Sequence, residues 1–80
     1  MTISEAVAQR IRSLLYTKNI SQYSLEQKTG LSHDTLKSIM KGKAKGVNLK
    51  TVIAIADGFE MNVDEFLRDP LFLYENLNMD

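Results

Sequence analysis

"QYSLEQKTGLSHDTLKSIMK", residues 22–41, decides how this chain folds. The order is a polar start, Leu25, Thr29, Gly30, Leu31, Ser32, two polar residues, Thr35, Leu36 and then Ile39. Two short helices joined by a tight turn containing glycine, with inward apolar residues on either side, are the sequence form of a helix-turn-helix. Ser21 is placed to cap the first of these helices, and Gly30 suits the left-handed residue that ends it. Leu31 then plugs the turn. Ser32 caps the second helix, in which Leu36, Ile39 and Met40 point inward until Gly42 stops it. That second helix therefore opens on small or polar residues, and four lysines (Lys37, Lys41, Lys43 and Lys45) follow within a few positions.

The flanking segments also read as helices. Thr2 with Glu5 three residues later forms a capping box ahead of a helix over about Ile3 to Lys18, with Val7, Ile11, Leu14 and Leu15 at helical spacing. The stretch from Gly42 to Val47 reads as a flexible basic loop. Asn48 caps a fourth helix whose apolar positions are Leu49, Val52, Ile53, Ile55, Ala56 and Phe59. Asn62 and Glu65 form a second capping box for a fifth helix, with Val63, Phe66 and Leu67 inward. Asp69-Pro70 ends that helix and can cap a short final one carrying Leu71, Phe72, Leu73, Tyr74 and Leu77. No run alternates with period two, so no strand is expected. The fold class is all-α: a compact five-helix bundle with an apolar C-terminal tail or sixth helix.

Composition narrows the functional classes. Eighty residues suffice for one small domain with one core. There is no cysteine and only one histidine, which excludes disulfides, thiolate ligation and a histidine-built zinc site. No apolar run approaches the length of a bilayer span, and MTISEAVAQRIR lacks the basic-then-apolar order of a secretory signal. A reducing compartment is the expected home. No nucleophile–histidine–acid set and no phosphate-binding glycine loop is present, so an enzyme is not expected. His33 and Asp34 are adjacent on one helix and do not face each other.

Formal net charge is zero but unevenly laid out. Residues 1–50 hold nine basic groups against three acids, and residues 51–80 hold one basic group against seven acids. A dipolar chain of this kind can turn one positive face towards an anionic partner while remaining neutral.

The motif, together with the stretch NLKTVIAIADGFEMNVDEFL, resembles the Cro/C1-type (XRE) family of phage and bacterial repressors, whose domain is of the lambda-repressor type. The resemblance covers residues 3–69, all five helices. It implies a domain over residues 1–69 with its helix-turn-helix at about 21–41, followed by a tail at 70–80 that dimerises or completes the core. It further implies sequence-specific binding to double-stranded DNA by a small transcriptional regulator, a repressor acting on a palindromic operator as a homodimer. The expected setting is the cytoplasm of a bacterium, nucleoid-associated, or a phage-encoded protein there. No cofactor and no separate effector domain are expected.

The resemblance assigns roles to matching positions. The third helix enters the major groove, and its first turns meet base edges through Ser32, His33, Asp34, Thr35, Lys37 and Ser38. Asp34 can accept from a cytosine amino group, and His33 is expected at a guanine or a nearby phosphate. Ser32 and Asp34 also suit an N-cap and a first-turn carboxylate, whether or not DNA is bound. Gln22 matches a phosphate contact, and Lys41, Lys43 and Lys45 grip the backbone after the third helix. Leu71, Phe72, Tyr74 and Leu77 are the candidate dimer contacts. The competing class is a protein–protein module, or an antitoxin-like hybrid, that keeps this fold and meets a protein partner.

Three positions depart from the family pattern. Glu26 stands where a small residue usually separates the second and third helices, so its stem is expected to snorkel outward or the helices to sit farther apart. Leu15 and Met40 replace a common arginine–glutamate pair and are expected to touch as packed hydrophobes. Glu60 replaces a glycine after the fourth helix and is expected in the left-handed region at a cost of about 1 kcal/mol.

Overall fold

The capping chemistry sets where each helix begins. In a computed structural model describing residues 1–44 and 46–78, five helices appear in order. They are α1 (Ile3–Lys18), α2 (Gln22–Thr29), α3 (His33–Met40), α4 (Leu49–Gly58) and α5 (Val63–Leu67). Lys45 and Met79 lie outside the described residues. Thr2 accepts from the Glu5 N–H at 3.1 Å, while the Glu5 carboxylate accepts from the Thr2 N–H at 2.7 Å. Ser21, Ser32 and Asn48 each accept from the N–H three residues on. At α5 the Glu65 carboxylate accepts from the Asn62 N–H at 3.0 Å. Each contact satisfies a donor that the first turn of a helix leaves without a partner.

The core gathers one face of every helix: Val7, Ile11 and Leu14 of α1, Leu25 of α2, Leu36 and Ile39 of α3, Val52 and Ile55 of α4, and Phe66 of α5, with Phe59 beside them. Leu15 and Met40 are both half-buried against this cluster. α4 buries less than its composition suggests. Leu49 is 63% exposed and Ile53 46%, because only the face carrying Val52, Ile55 and Ala56 meets the bundle.

α2 and α4 approach closely at Gly58. A Cβ built there would lie 2.7 Å from Thr29 Cγ2 and 2.9 Å from Leu25 Cδ1, so only glycine fits that seat unaltered. The expected left-handed residue after α4 is present, with Glu60 at φ 60.

Residues 70–78 are neither a free segment nor a sixth α-helix. They form two single 3₁₀ turns, Pro70–Phe72 and Tyr74–Asn76, with Asp69 accepting from the Leu71 N–H at 3.0 Å. Phe72 packs on Phe66 with ring centroids 6.1 Å apart. The chain then runs beside its own start: the Asn78 N–H donates to the Met1 carbonyl at 2.7 Å, and Thr2 and Asn78 form an isolated parallel bridge. That bridge is the only β-type pairing among the described residues.

Candidate nucleic-acid interface

α3 divides cleanly between two environments. Leu36 and Ile39 are buried and Met40 is half-buried, while His33, Asp34, Thr35, Lys37 and Ser38 are all exposed. Ser32, the exposed N-cap, accepts from the Thr35 N–H at 3.1 Å and donates to the Thr35 hydroxyl at 2.8 Å. The outer surface of α3 is therefore an unbroken run of hydrogen-bonding groups and a lysine. It is continued by Lys41 and Lys43, both exposed.

The turn before α3 is held by short-range bonds. Gly30, at φ 74, donates to the Glu26 carbonyl at 2.9 Å. The Thr29 hydroxyl donates to the Leu25 carbonyl at 2.8 Å and accepts from the Leu31 N–H at 3.2 Å. Leu31 is half-buried against the core and closes the turn, which fixes α3 relative to α2.

α1 secures the other end of α3. Arg12 donates through its guanidinium to the Met40 carbonyl, occupying an acceptor that the helix terminus leaves free. Gly42, at φ 71, sits against α1, where an added Cβ would lie 3.4 Å from Glu5 Cα. The Ser4 hydroxyl donates to the Ala44 carbonyl at 2.6 Å, and Ala44 and Val47 are half-buried on the core. The expected flexible loop is thus pinned to the start of α1 on both sides of Lys43. A groove runs between α3 and the start of α4, with Asp34, Thr35 and Ser38 on one side and Asn48 and Thr51 on the other.

Glu26 corrects the expectation made for it. Its side chain does not snorkel out, being only 10% exposed. It stays inside because Gln22 Nε2 donates to its Oε2 at 3.1 Å and His33 Nδ1 lies 2.8 Å from the same oxygen. Two of the expected DNA contacts, Gln22 at the start of α2 and His33 at the start of α3, are therefore joined through one buried carboxylate. The family pattern marked residue 26 as a departure; only the packing of α2 on α3 brings His33 to it.

Of the four candidate dimer contacts, Leu71, Phe72 and Leu77 are half-buried within the chain's own fold, and Tyr74 is exposed. Leu73, next to Tyr74 in sequence, and Leu67, at the end of α5, are also exposed. Among the described residues no group of three or more His, Asp or Glu side chains could hold a metal, and no helix is long and apolar enough to cross a membrane.

Comparison with known proteins agrees with this geometry at the level of the family. No curated protein and no solved structure matches the chain. The sequence model of the Cro/C1-type HTH DNA-binding domain matches residues 10–70, from the middle of α1 through the end of α5. With an all-α frame, a glycine turn joining α2 to α3 and a polar, cationic outer face on α3, the chain belongs to the Cro/C1-type helix-turn-helix DNA-binding family.

Proposed function

We propose that this protein is a transcriptional repressor that reads a specific double-stranded site by laying α3 in the major groove. The single observation carrying this reading is the exposed run from Ser32 through Lys43, interrupted by the core residues of α3 and the half-buried Gly42. A major groove about 12 Å wide admits one α-helix, and base edges there offer donors and acceptors to short polar side chains. In this reading His33, Asp34, Lys37 and Ser38 face bases, with Ser32 and Thr35 closing the first turn against the backbone. Gln22, Lys41, Lys43 and Lys45 meet phosphates. Each neutralised phosphate releases counterions, so affinity falls steeply with salt.

A palindromic operator calls for a two-fold dimer. Exposed Leu67, Leu73 and Tyr74 support a seam at the end of α5 and the tail. The same apolar residues favour the second reading, a protein partner instead of DNA, but that reading leaves the lysines around α3 without a purpose.

Selection from a randomised duplex pool at moderate salt tests the proposal. One enriched, two-fold-symmetric site is the expected result, and failure to enrich any site favours the protein-partner reading. Charge reversal at Lys41 and Lys43 should weaken binding to all duplexes alike and reduce the salt slope by about one unit per lysine. His33→Ala should instead change which base is preferred at one position in each half-site.

A further inference from the structure

The polar cluster beneath the first turn of α3 bears on what His33 can read. Glu26 Oε2 is the common acceptor for Gln22 Nε2 at 3.1 Å and His33 Nδ1 at 2.8 Å. The carboxylate is nine-tenths buried, while the imidazole is 63% exposed. An ionised carboxylate only accepts hydrogen bonds, so the ring nitrogen facing it carries the hydrogen. A neutral imidazole has one N–H. In the neutral ring that hydrogen is committed inward, which leaves bare the Nε2 that faces away from Glu26.

We propose that Glu26 is a specificity-positioning residue: it holds His33 as the Nδ1–H tautomer, so the atom offered to the groove is a hydrogen-bond acceptor. The consequence for base choice is direct. In the major groove only adenine N6 and cytosine N4 present amino donors, whereas guanine offers N7 and O6 and thymine offers O4, all acceptors. A bare Nε2 pairs with adenine or cytosine and opposes guanine and thymine. This replaces the guanine or phosphate contact expected for His33 from its residue type alone. Gln22 supports the arrangement from the other side, since its amide occupies Glu26 Oε2 and keeps the carboxylate turned towards the ring. The inference rests on the DNA reading for its second half; the tautomer itself does not.

Two measurements on the full chain keep the halves separate. Long-range ¹⁵N–¹H NMR of the labelled protein at pH 8 should show His33 Nδ1 protonated and Nε2 bare. A bare Nδ1 with a protonated Nε2, as a carboxylic acid at Glu26 donating to the ring would produce, overturns the proposal on the wild-type chain alone. Duplex selection at pH 8 should then identify the base pair whose preference is lost in His33→Ala. Removing the major-groove amino group of its adenine or cytosine (purine or 2-pyrimidinone in its place) should weaken wild-type binding about tenfold while leaving His33→Ala unaffected. Wild-type binding that is unchanged by removal of that amino group also overturns it. In Glu26→Gln the amide can present either its oxygen or its N–H₂ to the ring. The Nε2–H tautomer should then appear, and the preference at that one position should fall about tenfold, the size of one specific base contact, with the rest of the site unchanged. Glu26→Gln that folds and keeps the same preference shows Glu26 to be packing only and defeats the proposal. Enrichment of no site in the wild type defeats the DNA reading and the base-choice half with it, while the spectra still settle the tautomer.

Discussion

Arg10 of α1 donates through Nε to the Phe66 carbonyl at 2.7 Å and through Nη2 to the Glu65 carbonyl at 3.0 Å. Its Nη1 lies 3.3 Å from Asp69 Oδ2, and the guanidinium stands 5.8 Å from the centroid of the Phe66 ring. One side chain, only 14% exposed, thereby occupies the last carbonyls of α5 and the residue that caps the tail. Arg10→Ala should cost about 2–3 kcal/mol in urea or thermal unfolding, because it strands several acceptors at once. Arg10→Lys should recover little, since an ammonium cannot span the same fork. Equal stability of Arg10→Lys and wild type would refute the three-way clamp.

Gly58 and Gly30 should respond to alanine for different reasons. Gly58→Ala drives a methyl to within 3 Å of Thr29 and Leu25, and overpacking of that kind costs about 1–3 kcal/mol. At Gly30 nothing lies within 4 Å, but φ is 74, so alanine bears only the left-handed penalty of about 1 kcal/mol. Gly58→Ala should also loosen the seat of α2 on α4 and lower DNA affinity, detectable by titration with the selected duplex. An unchanged melting temperature in Gly58→Ala would contradict the close approach.

Glu60 carries the opposite opportunity. It holds φ 60 on an exposed turn, and its contact with Lys28 Nζ is a 3.8 Å pair at the surface. A surface pair of that geometry contributes between zero and about 1 kcal/mol. Relief of the left-handed strain should outweigh it, so Glu60→Gly is expected to raise the melting temperature slightly. Lowered melting would mean that the ion pair matters more than the backbone.

Acid sensitivity should appear at the first turn of α1. The Glu5 carboxyl is held below the ordinary carboxylate range, first by the Thr2 N–H and then by the Thr2 hydroxyl. A carboxyl depressed in the folded state stabilises the fold above its unfolded value, and that contribution is lost as pH falls through the folded value. Glu5→Gln should therefore be less stable than wild type near neutrality, with the gap closing in acid. A gap that stays constant across the titration would rule out the capping box as its source.

The tail gives a separate test of assembly. Phe72 packs on Phe66, and Asn78 pairs with Met1, so a chain ending at Asp69 should unfold at lower temperature than the full chain. Leu73→Ser and Tyr74→Ser remove exposed apolar groups without touching that packing. Sedimentation should show these variants shifted towards monomer while their melting stays near that of the same species of wild type. Unaltered sedimentation would remove this face as the dimer seam.

Helix starts were legible because their chemistry is local. Thr2 with Glu5, Ser21, Ser32, Asn48, and Asn62 with Glu65 each act within three residues of themselves, and the turn at Gly30 needs only a residue tolerant of positive φ. What escaped sequence reading depends on contacts between distant segments. Arg10 reaches residues more than fifty positions away, and Ser4 reaches Ala44, neither of which leaves a periodic trace. Glu26 looked like a fault in the motif because its partner His33 comes over it only when α3 packs on α2. Leu67 was read as inward but is exposed, because residue type alone does not say which apolar side chain of a short helix faces the bundle. The outer face of α3, by contrast, stood out in the sequence as the polar remainder around Leu36 and Ile39.

The most direct test of the central claim is amide chemical-shift mapping of the full chain titrated with its selected duplex. Perturbation should concentrate at Gln22 and from Ser32 to Lys43, with smaller changes at the start of α4 across the groove from Ser38. Perturbation confined to α5 and the tail, with the amides of His33, Lys37 and Ser38 unmoved, would contradict the placement of α3 in the groove.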